Sequence, residues 1–547
     1  MSRRTAESVP VLIVGGSLVG LSMSVFLGRF GIEHMLVERN TGTSTHPRGR
    51  GNNVRTMEIF RTAGLESHIR EAASALAGND GVLQVDTLTG DQRHWIVPDI
   101  SAGMDISRVS SSSWCLCSQN DLEPVLLDHT RRGGDIRFGT ELLSFTQNGD
   151  GVQAHVVHRD SGETYTVDAD FLVASDGPRS SVRKRLGIGQ SGPGDLFHNV
   201  SVTFRSKALK EYVGERRFIV CYFTDPLGEG ALLPVDNEYR WVIHVPWSPD
   251  RGETLEDFSD ARCAAHVRAA AGVPDIDVEV TGKALWHASQ RVADAYGQGR
   301  VFLAGDSAHE MPPNGAFGSN TGIQDAHNLA WKLAAVLRGW AGPPLLDTYQ
   351  HERRPVAVAT SARASQQAVE EQHTGFGLAA GRNNDASDLM TAALCYRYAS
   401  DAVAGAPTER PVLPETFELD GAPGSRAPHM WVMRGGTRIS TLDLYERSFV
   451  MLAGSRGRMW RNAMEKAAAN VGAPVEVYLV GHGRDHDLVP EPGAEWAELH
   501  GTAEDGAVLV RPDGFVAWRA HSEMPHADRV LTDVLQTVLG RDRARTP

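Results

Sequence analysis

With 547 residues, 41% hydrophobic and 22% charged, the chain has the make-up of a globular protein large enough for three or four domains. Its formal charge of −14 argues against nucleic acid or an anionic membrane surface as a partner. The five cysteines form no CxxC and no Cys/His set at zinc spacing, so no metal is expected, and their scarcity suits a reducing cytoplasm.

Arg3 and Arg4 precede an apolar stretch from Val9 to Leu27. Glycines interrupt it and no small-residue cleavage site follows, so it reads neither as a signal peptide nor as a membrane span. VPVLIV (Val9 to Val14) is a continuous apolar run, as in a parallel strand buried on both faces. GGSLVG (Gly15 to Gly20) is a turn, Leu18 to Phe30 a helix ending at Gly31, and Glu33 to Val37 a second strand with Glu38 and Arg39 at its end. In GxGxxG terms, Ser17 stands at the middle glycine, which predicts a weakened approach to pyrophosphate. The helix start at Leu18 offers free N–H groups to a phosphate. Glu38 lies 23 residues after Gly15, where an acid accepts hydrogen bonds from a ribose. A βαβ unit without ligand is the other reading of this segment.

Arg48 to Phe60 (RGRGNNVRTMEIF) is either a solvated basic loop or one whose Arg48 or Arg55 reaches phosphate or a flavin edge. Cys115 and Cys117 share one face of a strand, as buried thiols or toward a pocket. Ser118 is an N-cap for a helix to Asp128, with Gln119 and Asp121 in its first turn. Ile136 to Leu172 alternates like hairpins about the turn Asn148 to Gly151. Phe171 to Ser175 is a buried strand running into ASDGPRSS, with Asp176 and Gly177. His198 to Val245 is strand-rich, an antiparallel sheet over a cleft. Alternation puts Tyr222, Trp241 and His244 either in its core or on its cleft face. Thr254 to Ala271 is helical. Val301 to Ala304 is a buried strand leading into Gly305 and Asp306, and His309 soon after either packs or takes part in catalysis. Gly322 to Leu337 is an amphipathic helix, and Leu345 to Arg354 opens a helical region to about Tyr398. Pro and Gly crowd Ala404 to Ala427 as a linker, after which the αβ theme returns.

Three glycine segments in fixed order, GGSLVG, ASDGPRSS and GRVFLAGDSAHEMPP, describe one FAD to which the chain returns twice. With GRVFLAGDSAHEMPPNGAFGSNTGIQDAHNLAWKL (Gly299 to Leu333) and WHASQRVADAY before it, the whole chain resembles the class A flavoprotein aromatic hydroxylases. This is the family of para-hydroxybenzoate and phenol hydroxylases, and within it the chain looks most like those of bacterial aromatic polyketide pathways. The resemblance implies an α/β fold with a Rossmann-like FAD-binding domain in two parts (1–185 and 286–403). An inserted β-sheet substrate-binding domain (186–285) and a thioredoxin-like C-terminal domain without redox chemistry (404–547) complete it.

The resemblance further implies a monooxygenase that uses FAD and NADPH or NADH. It would hydroxylate or oxidatively rearrange a polycyclic aromatic polyketide through a flavin C4a-hydroperoxide. A flavin dehydrogenase without oxygen insertion, or a flavoprotein that only binds a ligand, are the alternatives. Partners would be an aromatic small molecule and dioxygen, with the protein a monomer or homodimer. Carried over residue by residue, Gly15, Ser17, Leu18 and Gly20 shape the pyrophosphate turn, and Glu38, followed by Arg39, holds the adenosine ribose. Arg48 and Gln119 contact the phosphate and ribityl region, Asp176 and Gly177 lie by the pyrophosphate and the nicotinamide approach, and Asp306 binds the ribityl chain. Pro312 and Pro313 border the flavin, and Gly318 to Gly322, with Asn320 and Thr321, face its pyrimidine edge. Tyr222, Trp241, His244 and Pro312 would line the substrate. Ala316 and Phe317 depart from the smaller or more polar residues of relatives.

Overall fold

A computed structural model describes residues 7–100, 105–130, 133–370, 386–407, 409–483, 485–493 and 495–541. Arg3, Arg4 and part of the helical region expected up to Tyr398 lie outside the described residues.

Val11, Leu12 and Ile13 are fully buried, and the first strand, Glu7–Val14, is the centre of a parallel sheet. It pairs with His34–Glu38 on one side and Thr164–Ala174 on the other, and the sheet continues to Gly134–Phe138 and Val301–Leu303. Helix Leu18–Arg29 packs against helix Phe317–Leu337. Val14 lies beside Val37 and Ala174, and Ala174 beside Leu303, so the carboxyl ends of four strands meet at one edge. Ligands of open α/β sheets bind beyond that edge.

A second sheet of eight strands runs in the order His309–Glu310, Glu279–Ala293, Gln190–Arg205, Arg240–Pro246, Gly230–Pro234, Phe218–Phe223, Gly81–Val85, Arg93–Val97. It therefore draws strands from well outside 186–285. Its two faces differ by strict alternation. Val200, Val202, Phe204, Cys221, Phe223, Trp241, Ile243 and Val245 form a core with Phe258, Cys263 and Val267. The helix expected from Thr254 is split there. A short turn, Leu255–Asp257, is boxed by Thr254 and Asp257, and Ser259 then caps Asp260–Ala271. The opposite face of the sheet carries Asn199, Ser201, Tyr222 and His244 and meets the FAD-binding core through His46 and Arg50.

The C-terminal sheet has the order Val475–Leu479, Phe449–Ala453, Ala507–Val510, Val516–Ala520, with helices Arg458–Val471 and Ala527–Val538. The first pair is parallel and the other two antiparallel, which is the thioredoxin-like arrangement. Residues 404–547 hold no cysteine, so this domain has structure without a redox pair. Fully buried ion pairs fasten it to the core. Arg511 bonds Glu352 at 2.5 and 2.9 Å and Asp513 at 2.9 Å, and Lys332 reaches Glu352 at 2.8 Å. Arg426 meets Glu58 at 2.9 Å. Arg55, one of the two arginines weighed for phosphate, is engaged here instead: it bonds Glu58 at 3.0 Å and the Asp513 carbonyl at 2.6 Å. All five cysteines are free and buried, and burial pushes the Cys115 thiol up to about 11.

Candidate active site

The first glycine turn is shaped by close approach. Gly15 has φ +105°, and a Cβ there would stand 2.3 Å from the Ser175 carbonyl oxygen. A Cβ on Gly20 would stand 1.8 Å from the Gly15 oxygen. Ser17 is accommodated in an unexpected way. Its hydroxyl donates to Glu123 Oε1 at 2.6 Å and accepts from Gln119 Nε2 at 2.8 Å rather than capping the helix. It is thus held away from the helix start at Leu18, whose first N–H groups stay free to meet an anion. Gln119 therefore supports the turn through Ser17 and Glu123. Glu123, which no motif marked, also accepts from the Ser44 N–H at 2.6 Å and so fixes the loop that carries Arg48. Glu38 Oε1 accepts from both the Asn40 N–H at 2.8 Å and the Asn40 side-chain amide at 2.5 Å, while Oε2 accepts from Gly16 N–H at 2.7 Å and keeps a lone pair for a hydroxyl. Arg39 is exposed.

The other two glycine segments close on the first. Ser175 donates to the Gly15 oxygen at 2.9 Å. Asp176 Oδ2 accepts from Ser181 N–H at 2.8 Å, while its buried Oδ1 has no partner among the described residues. Gly177 takes φ +82°. Arg183 ties this loop to the next, bonding the Pro178 and Ser307 carbonyls at 2.8 Å each. A Cβ on Gly322 would stand 2.9 Å from Gly305 Cα, so the Gly305–Asp306 turn and the long helix need both glycines. Asp306 has its tip open to the groove but protein crowding its flanks. That burial pushes its carboxyl pKa up, against the opposing pull of His309 and Arg48.

Beneath this turn lies a sealed brace. Asp325 accepts from Arg353 Nε at 2.7 Å and from the Gly305 N–H at 3.2 Å, and it hydrogen-bonds His309 Nε2 at 2.7 Å. Arg353 also bonds the Thr321 carbonyl at 3.1 Å. Burial alone would raise the Asp325 carboxyl, but Arg353 and His309 outweigh it and hold it below its ordinary value. His309 is fully buried against Asp325, with its Nδ1 unpartnered among the described residues.

The long helix begins at Phe317, five residues before the expected Gly322, because Gly315 (φ +75°) and Ala316 (φ +55°) turn the chain into it. The left-handed Ala316 costs about 1 kcal/mol, a strain a glycine would not carry. Gly318, Asn320 and Thr321 thus sit in the first turns of the helix. The Asn320 side chain serves the protein: it donates to the Gly51 carbonyl at 2.8 Å and accepts from the Asn53 N–H at 2.9 Å. Any role of Asn320 toward a flavin therefore falls to its main chain, as the helix opening implies. Thr321 is buried, Pro312 is buried and Pro313 is exposed.

Arg48 is exposed, in a loop tethered on one side by Glu123 and on the other by the substrate sheet. There His46 Nε2 meets Ser201 Oγ at 3.1 Å, and Arg50 donates to the Pro234 carbonyl at 2.5 Å and to the Ile219 carbonyl. Tyr222 and His244 share this face through Ala231, which pairs with both. His244 stacks on Trp286 with ring centroids 5.4 Å apart. Burial, with Arg50 and His46 adding to it, lowers the His244 pKa to about 3. Burial with Arg48 lowers that of His46 to about 4, so both rings are neutral at pH 7. Trp241 requires correction. It sits among Ile243, Phe204 and Phe223 on the far face, with Nε1 bonded to the Ser206 carbonyl at 3.1 Å, and does not line the groove.

The glycine cradle, the helix start and the orphaned Asp176 Oδ1 fit a dinucleotide laid across the strand ends, and comparison with known proteins identifies which. The family described as FAD binding domain matches residues 8–364, and the aromatic-ring hydroxylase C-terminal family matches residues 420–542. A Streptomyces halstedii protein provisionally named a polyketide hydroxylase is 60% identical, with 98% of each chain covered. The tetracenomycin A2 monooxygenase-dioxygenase of Streptomyces glaucescens is 41% identical, again over 98% of each. The solved structure of aklavinone-11 hydroxylase with FAD and aklavinone matches with a TM-score of 0.89 and 35% identity, covering 98% of this chain and 100% of that one. These relatives are hydroxylases and monooxygenases, which sets aside the dehydrogenase reading. Among the described residues no helix is long and apolar enough to cross a membrane.

Proposed function

This chain belongs to the FAD-binding aromatic-ring hydroxylases and is a flavin monooxygenase, and from that premise we propose that it hydroxylates or oxidatively rearranges a polycyclic aromatic polyketide. Bound FAD supplies electron transfer from NADPH or NADH to dioxygen and the delivery of one oxygen atom to the ring. The observation that carries the reading is the convergence of three glycine segments at one sheet edge, directly across from a sheet face bearing Tyr222 and His244.

Each residue has a task that needs no acid or base of its own. Gly15, Leu18 and Gly20 receive the pyrophosphate, Glu38 the ribose and Asp306 the ribityl chain. Arg48 reaches over the cofactor from its doubly tethered loop. The free N–H groups at the start of the helix, those of Gly318 and Ser319, would turn toward the flavin ring and stabilise negative charge there. Pro312 and the sheet face close around the substrate and keep water out. Positioning the ring against the cofactor is then the main contribution of the protein. Five buried free thiols suit a reducing cytoplasm.

The test is product mass after the purified holoenzyme is given NADPH, labelled dioxygen and a panel of polycyclic phenols. One labelled atom in the product supports the proposal. NADPH oxidation that depends on substrate, with product oxidised yet unlabelled, sinks it.

A further inference from the structure

On the sheet face opposite the core, three polar side chains hold buried atoms without partners among the described residues. Asn199 has no exposed surface, and neither its amide nitrogen nor its oxygen bonds anything among the described residues. The Nδ1 atoms of His46 and His244 are buried and unpartnered as well. An amide or imidazole atom withdrawn from water without a replacement bond costs about 1–3 kcal/mol. Such atoms occur elsewhere among the described residues, and here an amide and two imidazoles hold them side by side.

They are together by construction. Asn199 and Ser201 alternate on one strand, His244 lies directly opposite Ser201, and His46 bonds the Ser201 hydroxyl at 3.1 Å. Trp286 lies opposite Asn199 on the other neighbouring strand, and its indole stacks with His244 at an angle of 23°. A flat aromatic surface thus adjoins an amide that both donates and accepts, and two neutral rings whose free nitrogens do either. Arg50, the cation that acts on His244, is not free to recognise an acid, because both terminal nitrogens are bound to main-chain carbonyls, and Arg48, which acts on His46, is assigned to the cofactor.

We propose that Asn199, with His46 and His244, forms a recognition edge that hydrogen-bonds the uncharged ring oxygens, phenolic or quinonoid, of a planar substrate lying against Trp286. The inference rests on the reading that this face holds the substrate. It adds which oxygens are read and which residues read them. A carboxylated ligand is disfavoured at this edge, and an unoxygenated ring system leaves the three groups unpaired.

Asn199→Leu tests it, because a polar group with no partner in the free protein is replaced by an apolar one of similar shape. In a titration of holoenzyme with 1,8-dihydroxyanthraquinone, followed by flavin absorbance, the variant should bind about tenfold more weakly than wild type. The Tm of the free variant should be equal or higher. His244→Phe keeps the stack on Trp286 and removes Nδ1, and the same loss of about tenfold is expected if Asn199→Leu does not fold. Unchanged affinity in the folded variants overturns the recognition edge while leaving the monooxygenase reading intact. A large fall in Tm with unchanged affinity shows Asn199 to be structural and also overturns it. Failure of wild type itself to bind the quinone removes the underlying reading of the sheet face.

Discussion

The FAD-binding core meets the rest of the chain along two seams: in one the buried carboxylates are paired with arginines, and in the other an amide and two imidazoles keep unmatched atoms. Toward the C-terminal domain, Glu58, Glu352 and Asp513 each meet an arginine at full burial. Toward the substrate sheet, Asn199, His46 and His244 are buried with polar atoms unmatched. Paired charges fix one docking geometry, although Arg55 Nε, Arg426 Nη1 and Asn328 Oδ1 in this seam are also buried without partners among the described residues. The unmatched amide and imidazoles of the other seam reserve their bonding for something that arrives. The same chemistry therefore marks a structural weld on one side and a recognition surface on the other.

The weld predicts the largest effect. Burial would raise the Glu352 carboxyl, yet Arg511 and Lys332 hold it well below the usual carboxylate range. Arg511→Met leaves Glu352 and Asp513 short of charge in a sealed seam, at a cost of about 3–5 kcal/mol. Calorimetry should show a fall of several degrees in Tm, and an unaltered Tm would show that this seam is not what holds the domains.

A smaller effect belongs to the brace that joins the two halves of the FAD site. Asp325→Asn weakens its hold on Gly305, His309 and Arg353 at once. FAD titrated into apoprotein should bind about ten- to hundredfold more weakly, the range for losing a buried charged hydrogen bond. Equal affinity would mean that the turn keeps its shape without the brace.

Acid should distinguish the seams further. His46 and His244 have folded pKa values below the unfolded value, so the unfolded chain binds protons first. Their contribution is intact above about pH 6.5 and is lost as pH falls from there toward 4 and 3, by about 2 kcal/mol each at pH 5. His244→Phe should flatten the fall in Tm between pH 7 and pH 5. Burial has lowered His327 and His500 elsewhere in the chain as well, so a residual slope remains. A slope unchanged by His244→Phe would show that His244 is not buried as a neutral ring.

What the sequence revealed follows the same division. Local chemistry was legible: an apolar run for the central strand, glycines where a Cβ would collide, Glu38 at a strand end. Features that depend on a distant partner were not. Nothing near Ser17 announces Glu123, 106 positions away, as the acceptor of its hydroxyl. Arg55 and Arg48 look alike in one basic loop, and only the Asp513 carbonyl and Glu58 separate them. Strands Gly81–Val85 and Arg93–Val97 join a sheet whose other members begin a hundred residues later. Asn199 carried no motif at all. Its signal is an unpaired amide, which exists only once the chain has folded.

The sheet itself offers the finest test, because alternation decides which side of it reads substrate. Trp241 and Tyr222 were equal candidates by sequence, yet Trp241 packs with Phe204 and Ile243 while Tyr222 faces the groove with His244. Trp241→Phe loses the bond to the Ser206 carbonyl and some packing, about 1–2 kcal/mol of stability, and should leave KM within about twofold. Tyr222→Phe removes a hydroxyl from the groove face and should change KM or kcat severalfold. Steady-state kinetics on the two variants with one accepted phenol gives the answer. If Trp241→Phe altered KM and Tyr222→Phe did not, the face assigned to the substrate would be the wrong one. The orphaned groups beside it would then need another ligand to explain them.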